Sequence, residues 1–193
     1  MVMKLDDAIK CRQCVRHYSN KPVNWGKLSL VLEAATHAPC AGGIFTVRLI
    51  IVANKEKIKQ LADACQQPFV SQAQFVIVVC SETSQTEKAY GERAKMYIRQ
   101  QAGAAIQSMF LKATDLGLAT CWVGAFDDNL IKTALKIPID VQVEALLPIA
   151  NPLKPLPKRT KKEKLNLINL KRIVWFERYQ KRWEKFGKQV EAL

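Results

Sequence analysis

Four short stretches of this chain carry residue types that could do chemistry. The first is Arg12-Gln13-Cys14-Val15-Arg16. Its two guanidiniums stand about one helical turn apart, and each planar fork donates two charge-assisted hydrogen bonds, which suits a phosphate. Two arginines at a solvated helix end would present the same pattern. The second stretch, Pro39-Cys40-Ala41-Gly42-Gly43, is a loop of small residues, and the third is Cys121-Trp122-Val123-Gly124-Ala125-Phe126. The fourth is a basic connector around Arg159. No phosphate loop, GxGxxG, GxSxG or HExxH occurs, so the usual one-line signatures of nucleotide, hydrolase and metalloprotease sites are absent.

Six cysteines, at 11, 14, 40, 65, 80 and 121, point to reduced thiols more than to a disulfide framework. The close pair Cys11-x-x-Cys14 ends a short helical pattern, whereas a thioredoxin-type motif follows a strand and opens a helix. His17 and His37 do not stand at zinc-ligand spacing, and no metal is expected.

The elements that must position these stretches follow from cap residues and apolar spacing. A short helix is expected over about Asp6–Arg12. Asn24 can cap a second, with Leu28, Val31, Leu32 and Ala35 on one face, ended by Pro39. Thr46–Val52 reads as a strand, and Asn54 caps a helix over Lys55–Cys65. Phe75–Cys80 is apolar throughout, as a strand buried on both faces would be. Residues 81–90 are polar and read as loop. Arg93–Leu118 carries the longest helical pattern, with little side chain at Gly103, Ala104 and Ala105, and Gly117 stops it. Ala119–Val123 is a short strand, Asp127 caps a helix to about Leu135, and Val141–Ile149 is the last strand of the body.

The chain of 193 residues is about one domain long, and 49% apolar against 24% charged residues is a composition able to bury a core. No apolar run approaches the roughly 18 residues a membrane-spanning helix needs. Asp6 and Asp7 stand where a secretion signal would be apolar, so a cytoplasmic protein is expected. The formal charge of +13 is uneven: from Asn151 onward 13 Lys and Arg face four Glu, a balance of +9, which leaves +4 for the first 150 residues. The chain therefore divides into a body, 1–150, and a prolyl, basic connector with a C-terminal helix, 151–193, within one domain overall. That tail could bind nucleic acid, but no nucleic-acid module accompanies it, and a solvated or subunit-contacting face is preferred.

Taken in order, the stretches resemble the FMN-dependent nitroreductase family, over nearly the whole chain. Arg12 to Arg16 look like the family's Arg-Arg-Ser-x-Arg pattern after a short helix, with Tyr18, Pro22 and Val23 at familiar places. Ala38 to Phe45 resemble its Ala-Pro-Ser-x-x-Asn-x-Gln pattern. Leu116-Gly117-Leu118 stands at the end of its long small-residue helix, and Trp122-Val123-Gly124-Ala125-Phe126 is similar to its Trp-Ile-Gly-x-Phe turn. Leu146 to Pro152 resemble its strand and Gly-x-Pro exit, with Ala150 for the glycine.

The resemblance implies an α+β fold of three layers, a mixed and mainly antiparallel sheet between helices, assembled as a homodimer across the long helix. It implies that Arg12 and Arg16 hold the FMN phosphate, with Gln13 and Cys14 at the ribityl or phosphate end. Pro39, Cys40, Ala41 and Gly43 would approach the flavin, often from the opposite subunit. Val123, Gly124 and Ala125 would offer backbone groups beside the isoalloxazine, and Arg159, with Lys158 or Lys161 as alternatives, would meet the phosphate. The implied activity is an NADH- or NADPH-dependent oxidoreductase that passes a hydride to flavin N5 and on to a nitroaromatic, quinone or similar acceptor by a ping-pong mechanism. A chain with two histidines and no triad fits a cofactor that carries the chemistry itself. The chain departs from the family pattern at Cys14 and Cys40, where serine is usual, at Gly43, usually asparagine, and at Phe45, often glutamine. Those departures motivate a second expectation, a flavin or small-ligand binding protein of the same fold with little turnover. A basic nucleic-acid-binding protein is the third.

Overall fold

The computed structural model describes residues 3–156. The chain divides into two units, Met1–Lys158 and Arg159–Leu193, and the fold that follows is that of the first. Arg159, its neighbours Lys158 and Lys161, and the expected C-terminal helix lie outside the described residues.

Helix α1 (Leu5–Cys11) leads to a two-residue strand, β1 (Tyr18–Ser19), and then to α2 (Trp25–Thr36). Strand β2 (Val47–Val52) is followed by α3 (Lys55–Ala64), β3 (Phe75–Ser81), α4 (Ser84–Tyr90) and the 22-residue α5 (Ala94–Asp115). After β4 (Ala119–Thr120) come α6 (Asp128–Leu135) and β5 (Gln142–Pro152). Helix α4 corrects the loop expected over residues 81–90. Its one buried residue is Thr86, so it carries no apolar periodicity for a sequence reading to detect.

The caps act as their residue types dictate. The side-chain oxygens of Asn24, Asn54 and Asp127 accept from the backbone N–H of Lys27 (3.2 Å), Lys57 (3.0 Å) and Asn129 (2.9 Å) respectively, each satisfying a donor the first turn leaves orphaned. At the far end of α5, Gly117 adopts φ +71°. Leu118 N–H then reaches back to Ala113 C=O (2.8 Å) and Gly117 N–H to Thr114 C=O (3.0 Å), the paired bonds of a Schellman stop.

The strands form one five-stranded sheet in the order β1-β5-β3-β2, with β4 pairing β5 on the same side as β1. Every pairing among the described residues is antiparallel. The strand period of two divides the core. Val76, Val78 and Cys80 of β3 pack with Ile58, Leu61 and Ile131 of α3 and α6 on one face, while Ile77 and Val79 pack with Leu28, Val31, Ile106 and Met109 of α2 and α5 on the other. This is the three-layer α+β architecture, and it explains why β3 is apolar from Phe75 to Cys80. Strand β5 runs three residues past the expected end at Ile149, because Ala150 pairs with Ala119 and Asn151 and Pro152 pair with Ser19 and Tyr18.

Candidate functional site

Strand β4 breaks off after Thr120, and a proline on its neighbour is the reason. Thr120 pairs with Ile149 and Val123 with Leu146, so the register sets Cys121 opposite Pro148. Val123 and Leu146 exchange both backbone bonds (3.0 and 2.9 Å). In an antiparallel ladder the next such pair is two residues on, at Cys121 and Pro148, and Pro148 has no N–H to give. The ladder is interrupted there. Thr120, in the intervening position, turns its C=O away from β5, and it accepts from Val15 N–H at 2.9 Å. One backbone bond thus fastens the Arg12–Arg16 segment to the start of the Cys121–Phe126 stretch.

Side chains complete the junction. Across the interrupted segment burial alternates: Cys121 and Val123 are buried, while Trp122, Gly124 and Ala125 are exposed. Trp122 lies beside Gly103 of α5, 4.0 Å from where a Cβ would stand, and its ring is 6.3 Å from that of Phe110. The Arg12 guanidinium sits 5.8 Å from the centre of the same Phe110 ring, and Arg16 lies 5.7 Å from the Phe69 ring. Both cations are held on aromatic faces, which orients them without neutralising them. Neither has a carboxylate partner among the described residues, where the ion pairs are Arg48–Glu82 and Lys112–Asp115.

The Tyr18 hydroxyl and the Thr120 Oγ1 are both buried without a hydrogen-bond partner, an unfavourable state for buried polar atoms. Tyr18, Cys14, Arg16 and Cys121 are electrostatic neighbours. Burial, reinforced by the thiols of Cys121 and Cys14, pushes the Tyr18 hydroxyl well above its ordinary range. Burial first, and then the Cys14 thiol, push Cys121 up to about 12.

The Pro39–Gly43 loop belongs to a different part of the protomer. Ala41–Gly43 forms one 3-10 turn in which Gly42 (φ +57°) and Gly43 (φ +72°) occupy the left-handed region that glycine alone enters freely. The Tyr90 hydroxyl of α4 presses on Gly42 where any Cβ would stand. Beneath the turn, buried Gln101 accepts through Oε1 from Thr46 N–H (2.7 Å) and from the Thr46 hydroxyl, and donates from Nε2 to Ile44 C=O (3.4 Å). Pro39, Cys40 and Ala41 border a shallow cavity of about 240 Å³ with Tyr97, Gln100 and Gln101. Ligand pockets for drug-sized molecules occupy roughly 300–1,000 Å³, so this hollow is small for a flavin.

The structure therefore gathers Arg12, Gln13, Cys14 and Arg16 with Val123, Gly124 and Ala125, and sets Pro39, Cys40, Ala41 and Gly43 apart. Both groups lean on α5, the loop near Tyr97 and Gln101 and the arginine group near Phe110. Thirteen residues of helix separate Tyr97 from Phe110, roughly 20 Å at 1.5 Å per residue. Sequence reasoning missed Phe69, Phe110 and Thr120 at the arginine group and Tyr90, Tyr97 and Gln101 at the loop. Gln101 alone left a signal, a polar residue in the middle of an apolar helical face.

The residues at the arginine group fit FMN. Two unneutralised guanidiniums suit its phosphate, and Gly124, where an added Cβ would meet nothing closer than the Trp122 ring at 3.8 Å, leaves backbone open to a flat ring. Among the described residues no group of three or more potential ligands could hold a metal ion, and no helix is long and apolar enough to cross a membrane.

A protein of Methanocaldococcus jannaschii that carries a provisional nitroreductase name is 28% identical over 169 residues, covering 70% of this chain and 85% of its own. The FMN reductase [NAD(P)H] of Bacillus subtilis is 28% identical over 128 residues, 60% of this chain and 51% of that protein. A solved nitroreductase family protein from Clostridium novyi superposes with a TM-score of 0.72 at 26% identity, over 78% of this chain and 86% of the other. The sequence model of the Nitroreductase family matches residues 9–69 and 63–150, and the chain thus belongs to the nitroreductase family of flavin-dependent oxidoreductases.

Proposed function

We propose that this protein is an FMN-dependent NAD(P)H oxidoreductase working as a cytoplasmic homodimer. When bound, FMN supplies the redox chemistry, taking a hydride at N5 from NADH or NADPH and passing electrons to a nitroaromatic, quinone or similar acceptor in a ping-pong sequence. The protein's part is to bind and orient. Arg12 and Arg16 hold the phosphate, with Gln13 and Cys14 at the ribityl or phosphate end, while Val123, Gly124 and Ala125 offer backbone groups to the ring. Pro39, Cys40, Ala41 and Gly43 come from the second subunit. Support for that last assignment is the separation along α5, because the loop and the arginine group meet that helix roughly 20 Å apart along its axis, and a loop so placed reaches a flavin more readily in a copy docked across the helix. The family resemblance also implies a phosphate contact from Arg159, which lies outside the described residues. The observation that carries the reading is the Val15–Thr120 backbone bond, which brings two unneutralised arginines beside an exposed Gly-Ala segment.

Phe45 favours a second reading, a flavin-binding protein with little turnover. It packs on the core around Ile106 and Leu147, and Gly43 has no side chain, so the loop brings two fewer polar side-chain contacts than the family pattern supplies. Each is worth on the order of 1 kcal/mol net, which weakens binding without abolishing it.

Visible absorption of the purified protein, before and after added FMN and then with NADH or NADPH under anaerobic conditions, separates these readings. A yellow protein bleached by one nicotinamide establishes the oxidoreductase and names the donor. Flavin that binds and does not bleach establishes the second reading. A colourless protein that ignores FMN rejects both and leaves the basic tail, with salt-dependent DNA or RNA binding, as the reading to test.

A further inference from the structure

Two thiols that take no part in the hydride transfer, one of them Cys14 at the proposed phosphate end of FMN, meet at the junction of the site. The Val15–Thr120 backbone bond (2.9 Å) draws together the residues that flank it. Cys14 and Cys121 are the residues on either side of that bond, and Cys14 and Arg16 are electrostatic neighbours of Cys121. Their settings are opposite: Cys14 is exposed, whereas Cys121 is fully buried. The other cysteine close to Cys14 in sequence, Cys11, is buried in the last turn of α1.

We propose that Cys14 and Cys121 form an oxidisable pair, converted by hydrogen peroxide into a disulfide that locks the Arg12–Arg16 segment to the strand leading into Trp122–Ala125. In the first step the Cys14 sulfur, as thiolate, attacks one peroxide oxygen. The O–O bond breaks, Cys14 becomes a sulfenic acid, and the departing hydroxide takes up the proton Cys14 released, giving water. In the second step the Cys121 sulfur attacks the Cys14 sulfur, the S–O bond breaks, and the hydroxyl leaves with the Cys121 proton as a second water. Two thiols and one peroxide thus give one disulfide and two waters.

The division of labour follows from the two environments. The exposed sulfur is the one peroxide reaches, and the Arg16 guanidinium beside the pair stabilises the negative charge that develops as the O–O bond breaks. Burial keeps Cys121 a thiol, reactive only toward a sulfenic acid formed next to it. Such a linkage suits a reducing compartment, where disulfides serve as transient redox sensors more than as framework. Its effect on the cofactor rests on the FMN reading above: drawing Cys14 inward moves Arg12 and Arg16, and the loss of one charge-assisted hydrogen bond lowers FMN affinity about tenfold.

The reduced full-length protein is treated with hydrogen peroxide, its remaining thiols are alkylated after unfolding, and its peptides are weighed. The expected product joins the Cys14 and Cys121 peptides, is undone by dithiothreitol, is lost in Cys14→Ser and persists in Cys11→Ser. A Cys11–Cys14 link overturns the proposal, as does a Cys14 over-oxidised to sulfinic acid while Cys121 still alkylates. FMN titration of the linked and reduced forms reads the coupling, and equal affinities overturn that half. A reduced protein that ignores FMN counts against the flavin reading alone, because the linkage is read by mass.

Discussion

The two halves of the candidate site are built on opposite principles. At the Pro39–Gly43 loop the polar anchor is satisfied: Gln101 takes both donors of Thr46 and gives to Ile44, and Tyr90 closes on Gly42. At the arginine group the polar atoms are left open, with two guanidiniums lacking a carboxylate among the described residues and the hydroxyls of Tyr18 and Thr120 buried without partners. The first half is a rigid mount. The second presents two guanidiniums whose charge an anion can complete through charge-assisted hydrogen bonds. Under the proposed function, the open half grips the cofactor and the mounted half positions the loop that approaches it.

The sharpest way to break the comparison is at Gly42. Gly42→Ala is expected to cost about 3 kcal/mol in unfolding free energy, combining a left-handed φ that alanine enters at roughly 1–2 kcal/mol with overpacking against the Tyr90 hydroxyl. Denaturant titration measures it, and Tyr90→Phe in the same chain should recover part of the loss, leaving the φ penalty behind. A Gly42→Ala protein as stable as the parent would contradict the rigid mount.

On the open half the expected loss is in binding. Arg12→Ala and Arg16→Ala should each weaken FMN by about 10- to 100-fold, the worth of a charge-assisted contact at roughly 1.5–3 kcal/mol, while stability moves by about 1 kcal/mol or less from the lost ring contact. Flavin fluorescence titration beside thermal melts separates the two effects. Gln101→Leu should do the reverse, costing about 2 kcal/mol of stability through the stranded Thr46 donors. Its effect on FMN affinity should be smaller than that of either arginine.

The buried thiols add a pH dependence. Cys121 is raised from an ordinary 9.0 to about 12 and Cys80 to about 11, burial being the leading cause in both. The unfolded chain therefore ionises first. Their stabilising contribution is complete below about pH 9 and is lost as pH rises toward those folded values. Chemical denaturation between pH 8 and 11 should show falling stability with a gentler fall in Cys121→Ala. The smallest expected effect is at a cap: Asn54→Ala should cost about 1 kcal/mol by freeing Lys57 N–H.

Much of the frame was legible in the residues. The caps at Asn24, Asn54 and Asp127, the stop at Gly117 and the unbroken apolar run of β3 are local signals, each set by a side chain acting on backbone a few residues away. The two-residue strand β1 and helix α4 were not legible. Tyr18–Ser19 is a strand only because β5 lies alongside it, and α4 buries one threonine. The four chemical stretches could be picked out by residue type, and the order in which they occur carried the family resemblance.

Sequence by itself thus determined the element order and the candidate residues, because caps, glycine stops and apolar periodicity act over a single turn or a pair of strands, while the three-layer α+β class followed from the family resemblance. Which of those residues meet was decided by tertiary structure. Pro148 interrupts a ladder with residues 27 positions earlier in the chain, and the carbonyl of Thr120 then receives Val15 from the N-terminal segment. A hydrogen bond between positions 15 and 120, a thiol pair at 14 and 121, and a glycine fitted beneath Tyr90 depend on non-local packing. Their energies are gained only after the chain has closed those loops, so no local pattern encodes them.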